Sequence, residues 1–325
     1  MKKILYVLLL VIFLGSFLFI TGCEDKKEST LKKITLGEVT HSAFYAPLYI
    51  AKEKKFFEDE GLDVEIILVS GANNVVSAVL SGDVNIGFCG PEATIYVYNA
   101  NEKDYIQSFA GLTKRDGQFI VSRKKIDNFD WNMLKGKEVL AGRIGGMPEL
   151  NFENALKNAG INKSEVKINT SVDFASLTSA FISGTADAVN LFEPNATKLE
   201  KMGLGYIVAS VGEKSGEMPY TAFNARKSFI KNNPDIIRSF TSAINKALLY
   251  VKDNRADVIA KDIIKEFPDT SLSDLEIIID RYKQADSWLD STYISEGMFE
   301  NLEGIMIDSG EISEYVSYND LIINE

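Results

Sequence analysis

Five short stretches hold the residues of this 325-residue chain best suited to meet a small molecule. They are Thr40-His41-Ser42-Ala43-Phe44-Tyr45, Ser70-Gly71-Ala72-Asn73, Cys89-Gly90-Pro91-Glu92, the run Gly142 to Glu149, and Leu191-Phe192-Glu193-Pro194. The chemistry these residue types support is recognition rather than bond making. Free amides where Gly145-Gly146 opens a helix favour an acceptor or an anion. Arg143 offers a planar fork matched to oxyanions. Glu92, Glu149 and Glu193 pull the other way, because carboxylates repel anions and accept hydrogen bonds from amino groups. Phe44, Tyr45, Phe192 and Tyr220 can wall a flat ligand, as small-molecule pockets are mostly apolar with a few placed polar groups. Each also has a plainer reading: a solvent-facing arginine, a glutamate on a helix dipole, a core aromatic, a glycine turn. Glu193 is the most specific candidate. One histidine and two cysteines are too few donors for a zinc or copper site. No G-x-S-x-G elbow, H-E-x-x-H pair or Walker lysine loop occurs, so no catalytic set, metal or cofactor is expected.

These stretches must be positioned by the elements before them. Ile34 to Val39 reads as a strand, Pro47 to Asp59 as a helix stopped by Gly61, and Val64 to Val69 as a strand. A helix with Val75, Val76, Val79 and Leu80 on one face ends at Gly82, and Val84 to Phe88 is a third strand. Strand and helix in alternation predict a parallel, doubly wound sheet with its ligand loops at the carboxyl ends of the strands. The unit is echoed later: Ala78 to Asp83 and Val84-Asn85-Ile86 have counterparts in Ala180 to Gly184, Asp187 and Ala188-Val189-Asn190. Two lobes of one architecture are expected, with the chain crossing near Gln118 to Ser122 and returning near Pro219 to Asn224. Helices over Pro234 to Lys252, Ala256 to Phe267 and Asp274 to Trp288 are expected to pack on the first lobe.

The amino terminus reads as an export signal, with Lys2 and Lys3 before an apolar run from Ile4 to Ile20. Ile20-Thr21-Gly22-Cys23 resembles a bacterial lipobox, which implies cleavage after residue 22 and lipid on Cys23. Residues 23–31 are polar and read as a tether. The folded part is then expected on the outer face of the cell membrane. A net charge of −11 disfavours nucleic acid as a partner. Cys89 is left alone, without a neighbouring cation to activate it, and no internal disulfide is expected.

A family resemblance joins these features. Phe44-Tyr45-Ala46-Pro47, Ala51 to Phe57, Glu60-Gly61-Leu62-Asp63-Val64, Ser81-Gly82, Leu134-Lys135-Gly136-Lys137, Gly145 to Pro148, Phe192-Glu193-Pro194 and Ser215-Gly216-Glu217 resemble SsuA/THI5-like substrate-binding proteins of ABC importers. The resemblance implies an α/β, type II periplasmic-binding-protein fold: lobe I over 32–117 plus 219–325, lobe II over 118–218, and two crossover segments between them. It implies a monomeric, non-enzymatic receptor that closes its cleft on cargo and delivers it to a membrane permease. His41 stands where pyrimidine-binding members carry a histidine. The expected ligand set is Thr40, His41, Phe44, Tyr45, Ser70, Gly71, Gly90, Glu92, Arg143, Gly145, Gly146, Phe192, Glu193 and Tyr220. With three glutamates against Arg143, a thiamine-pyrimidine-like or other flat heterocycle is favoured over an alkanesulfonate, taurine or nitrate. A membrane-tethered enzyme and a scaffold lipoprotein are the readings from other classes.

Overall fold

A computed structural model describes residues 31–324. The expected signal over 1–22, the lipidation site Cys23 and all but the last residue of the tether lie outside the described residues. The chain opens with the strand Lys32–Glu38 (β1), the helices Ala46–Glu53 (α1) and Phe56–Asp59 (α2), and the strand Leu62–Leu68 (β2). Next come the helix Ala72–Ser81 (α3), the strand Ile86–Cys89 (β3), the helix Glu92–Asn99 (α4) and the strand Ile106–Thr113 (β4). The middle of the chain holds β5 (Phe119–Ser122), β6 (Glu138–Leu140), α5 (Met147–Asn158), β7 (Lys167–Asn169), α6 (Leu177–Ile182) and β8 (Ala188–Leu191). It continues with α7 (Asn195–Lys201), β9 (Tyr206–Ser210) and α8 (Val211–Ser215) before β10 (Thr221–Arg226). The final helices are α9 (Lys227–Asn232), α10 (Pro234–Asp253), α11 (Ala256–Ile263), α12 (Leu272–Gln284), α13 (Glu296–Ser309) and α14 (Tyr318–Leu321).

Two five-stranded sheets result, ordered β2-β1-β3-β10-β4 and β7-β6-β8-β5-β9. They share one plan. β1 pairs in parallel with β2 (Leu36 opposite Ile66) and with β3 (Leu36 opposite Ile86); β6 pairs in parallel with β7 and β8 in the same way. The expected all-parallel sheets are corrected at one position in each. β10 enters antiparallel between β3 and β4, and β5 antiparallel between β8 and β9. Both strands have just left a crossing from the other sheet, so they arrive with reversed direction.

Helices cover both faces of the second sheet. Ile120 of β5 packs with Val139, Phe152 and Leu156, whereas its neighbour Val121 packs with Leu140, Leu177 and Phe181 on the opposite side, as the two-residue period of a strand requires. In the first sheet the Phe88 and Phe223 rings stack across β3 and β10 at 4.4 Å. Phe223 also meets Phe240 of α10 at 4.9 Å. The expected stripe on α10 is buried from Ile237 to Val251, which seats this helix on the first sheet. The helix expected over Pro47 to Asp59 is broken: Lys55 adopts a left-handed φ of 60°. The break turns Phe57 onto Phe240 (5.0 Å) and Phe56 toward Tyr250 (6.4 Å).

Close helix-to-sheet packing gives a stability test with two signs. A Cβ on Gly87 would stand 2.6 Å from Val79 Cγ2 and 2.8 Å from Val75 Cγ1 of α3. Gly87→Ala is expected to lower unfolding stability by about 1–3 kcal/mol, as overpacking does. A Cβ on Gly297 in α13 would meet nothing within 4 Å, so Gly297→Ala is expected to raise stability by up to about 1 kcal/mol. Urea midpoints of both variants against the unsubstituted chain check the pair.

Candidate ligand-binding site

The carboxyl ends of the parallel strands in both sheets face one cavity of about 450 Å³. Val39 and Thr40 follow β1, Ser70 to Asn74 follow β2, and Gly90 and Glu92 follow β3. From the other sheet come Arg143 and Gly146 to Pro148 after β6, Asp173 to Ala175 after β7, and Phe192 after β8. Tyr220 and Thr221 close the set where the chain returns to the first sheet. The site therefore lies where open parallel sheets place ligands.

Aromatic rings make its walls. Tyr45, Phe174, Phe192 and Tyr220 line the cavity. Phe192 lies 5.7 Å from Phe174 and 6.3 Å from Tyr220, ring centre to ring centre. Phe44 supports them from behind at 5.4 Å from Phe192 and 5.8 Å from Tyr220.

The polar end is rich in acceptors. Glu92 is 1% exposed, and its Oε2 has no hydrogen-bond partner among the described residues. A Cβ on Gly90 would stand 2.0 Å from that oxygen, so only glycine lets the carboxyl fold back over the loop. Burial pushes the Glu92 carboxyl up to about 7, while Arg143 and the amides of Glu92, Ala93 and Met147 draw it down. The Tyr220 hydroxyl is likewise buried, beside the buried Asp116 carboxyl and with no well-aligned hydrogen bond among the described residues. Burial first, then the charge of Asp116, holds it well above the ordinary tyrosine range. Asp116 is itself buried and raised by desolvation. Arg143 is half-buried and donates from one guanidinium nitrogen to the Ile144 carbonyl at 3.2 Å. At the start of α5 the Gly145 amide is occupied, donating to Glu149 Oε2 at 3.1 Å. Burial first, and then Glu153, push Glu149 up to about 7.

Thr40, Tyr45, Ser70, Gly71, Gly90, Glu92, Arg143, Gly146, Phe192 and Tyr220 all line the cavity. Four expected residues lie elsewhere, each for a physical reason. His41 is held between Glu38 (Nδ1 to Oε1, 2.7 Å) and the Glu266 carbonyl (2.8 Å), with its ring 4.9 Å from both Tyr49 and Phe267. Phe44 is buried beneath the wall it supports. Gly145 has its carbonyl bonded to the Tyr96 hydroxyl at 2.8 Å. The Glu193 carboxylate turns away to accept from the Thr197 amide and hydroxyl, both at 2.8 Å, and from Arg281. Asp173, Phe174 and Ala175 are lining residues that the sequence reading does not contain. β7 spans only Lys167–Asn169, too short to show a period. The usable signal is the shared plan of the sheets, in which β7 takes the place of β2 and the loop after it that of Ser70 to Asn74. Cys89 is buried, and burial raises its thiol. Among the described residues no group of three or more His, Cys, Asp or Glu side chains is placed to hold a metal ion.

Comparison with known proteins agrees with this geometry. Residues 43–257 match the family model described as NMT1/THI5 like. YtlA of Bacillus subtilis strain 168, whose name describes it as a candidate binding protein, is 42% identical over 310 residues, spanning 95% of this chain and 93% of that protein. The 4-amino-5-hydroxymethyl-2-methylpyrimidine phosphate synthase of Aspergillus parasiticus is 26% identical over 237 residues, 67% of this chain and 66% of the synthase. The alkanesulfonate-binding protein SsuA from Xanthomonas axonopodis pv. citri, bound to MOPS, superposes with a TM-score of 0.71 at 14% identity, covering 90% of this chain and 98% of that one. The fold is that of the periplasmic binding proteins, and the chain belongs to the NMT1/THI5-like family.

Proposed function

We propose that this protein is the cargo-capturing receptor of an ABC importer, tethered to the outer face of the membrane by lipid on Cys23, and that its cargo is a flat heterocycle bearing amino groups, of the thiamine-pyrimidine kind. The observation that carries the cargo class is the buried, unpartnered oxygen of Glu92 at the end of an aromatic-walled cavity. A buried acceptor left unpaired is costly, and a ligand N–H placed on it removes that cost. Tyr220 brings a second polar group to the same surface, its hydroxyl beside the Asp116 carboxyl. An anion is less well served. Arg143 already donates to a backbone carbonyl, the Gly145 amide is taken by Glu149, and Glu92 faces the same space. Family relationship to a pyrimidine phosphate synthase supports the heterocycle. The fold likeness to an alkanesulfonate-binding protein keeps the sulfonate as the second reading, with Arg143 at its centre. In this reading the body over 32–117 and 219–325 and the body over 118–218 close on cargo, and a permease reads the closed form. A separate ATPase supplies the energy.

Thermal unfolding of the chain from Glu24 onward tests the cargo class against 4-aminopyrimidines, flavins, taurine, alkanesulfonates and nitrate. A ligand at ~100 times its Kd adds ~2.7 kcal/mol. An aminopyrimidine is expected to raise the midpoint, Glu92→Gln to weaken its binding about tenfold or more through the altered buried hydrogen bond, and Arg143→Ala to leave it nearly unchanged. Stabilisation by a sulfonate or nitrate alone would overturn the heterocycle reading. The second test is pH. Between pH 4.5 and about 7 the folded chain keeps a proton on Glu92 that the unfolded chain has lost. This contribution to stability is full below pH 4.5 and disappears as pH rises through about 7. The difference between 4.5 and about 7 corresponds to ~3 kcal/mol. Glu92→Gln is therefore expected to gain stability relative to the unsubstituted chain between pH 5 and 8. An opposite trend in urea titrations would mean that Arg143 holds the carboxylate ionised.

A further inference from the structure

Glu193 follows β8 and so belongs to the second sheet, yet each of its polar groups is bonded to the lobe of the first. Its N–H donates to the Tyr282 hydroxyl at 3.0 Å, and its carbonyl accepts from Ser42 Oγ at 2.6 Å. Its carboxylate accepts from the Arg281 guanidinium while remaining tied to Thr197 in its own lobe. The side chain is wholly buried, whereas that of Arg281 is 24% exposed. Burial pushes the Glu193 carboxyl up, and Arg281 and Thr197 hold it back. The Tyr282 hydroxyl passes the chain of bonds on to the Gly117 carbonyl, at 3.1 Å, inside the first crossing. Beside this point α7 lies along α12: Lys201 pairs with Asp274, and Arg281 comes within 4.0 Å of Glu200.

We infer that Glu193 is a closure latch, a positioning residue that sets how firmly the two lobes hold their closed arrangement without touching cargo. The inference rests on the reading of the protein as a receptor that closes its cleft. Phe192 lines the cavity, and the next residue anchors the loop to the opposite lobe. Loosening the anchor lowers the fraction of molecules in the binding-competent form, and apparent affinity for every cargo falls by that same fraction. Removing one partner of a buried ion pair leaves the other uncompensated, so Arg281→Ala acts strongly. Ser42→Ala removes the bond to the Glu193 carbonyl, and Tyr282→Phe those to the Glu193 N–H and the Gly117 carbonyl; both leave the ion pair in place and act more gently.

Hydrogen exchange of the full chain without cargo tests the latch independently of what the cargo is. Peptides over residues 70–75 and 142–149 line the cleft from opposite lobes and contain none of Ser42, Glu193, Arg281 or Tyr282. A latch predicts that Arg281→Ala, Ser42→Ala and Tyr282→Phe each speed exchange in both peptides together, by about tenfold for Arg281→Ala, as a shared opening does. Amides of β1 and β8 are expected to keep their protection, and Arg281→Lys to recover part of the effect. Acceleration confined to residues 190–198 and 280–283 would reduce Glu193 to a local structural role and overturn the inference. If Arg281→Ala fails to fold, the two milder variants decide it in the same way. Failure of every cargo candidate would sink the receptor reading but leave this measurement interpretable.

Discussion

The chain passes twice between the two sheets, and the passes are bonded to one another. Met218 donates to the Lys114 carbonyl at 2.9 Å, Tyr220 to that of Thr113 at 3.0 Å, and Val211 to that of Gln118 at 3.0 Å. Where they press closest, a Cβ on Gly212 would stand 2.2 Å from the Asp116 carbonyl oxygen. Backbone cannot yield there as a flexible side chain can. Because the passes run antiparallel, each delivers its next strand reversed into the sheet it enters, which is why β5 and β10 are the antiparallel members of their sheets. The same crossing turns the carboxyl ends of both parallel strand sets toward one space. It also carries Tyr220 and Thr221 directly into the cavity lining.

The electrostatics of that space follow from burial more than from net charge. A carboxyl removed from water shifts toward its neutral form unless charges or amides repay the loss. Glu149 recovers part of the cost by accepting from the Gly145 amide at its own helix start. Glu193 recovers it from Arg281 and Thr197. Glu92 retains an oxygen that nothing among the described residues satisfies. Three glutamates near the carboxyl ends of strands, two of them in the first turns of helices, thus have three outcomes, and of the three only the one left incomplete faces the cavity. The polar character of the cleft is set by what its neighbours fail to pair.

Much of the scaffold is legible in the residues themselves. Alternating apolar runs mark β1, β2 and β3, Gly82 at φ 87° ends α3 as a left-handed stop, and the later Ser183-Gly184 echo lies at the equivalent place in the second sheet. What depends on distant partners is not legible. The direction of β5 and β10 comes from the crossing, which no local pattern records. The fate of Glu193 depends on Arg281, 88 residues further on. That of His41 depends on Glu266, 225 residues away. Glu92 and Glu193 both follow a short buried strand with proline beside them, so nothing within a few residues separates the free acceptor from the bonded one.

The pairing of Phe192 with Glu193 shows how one loop can serve recognition and movement. At the turn that follows β8, Phe192 lines the cavity while Glu193 bonds across to Arg281, so two consecutive residues face different partners. A ligand that presses on Phe192 therefore acts on the same short segment whose neighbouring residue is bonded to Ser42, Arg281 and Tyr282. Under the latch inference, energy gained at the cavity wall reaches the anchor at Glu193 through one backbone link. A ligand shifts an equilibrium only by its differential contacts with the two states. Under the latch inference, contacts to Phe192 have that quality, because the anchor at Glu193 fixes where Phe192 stands.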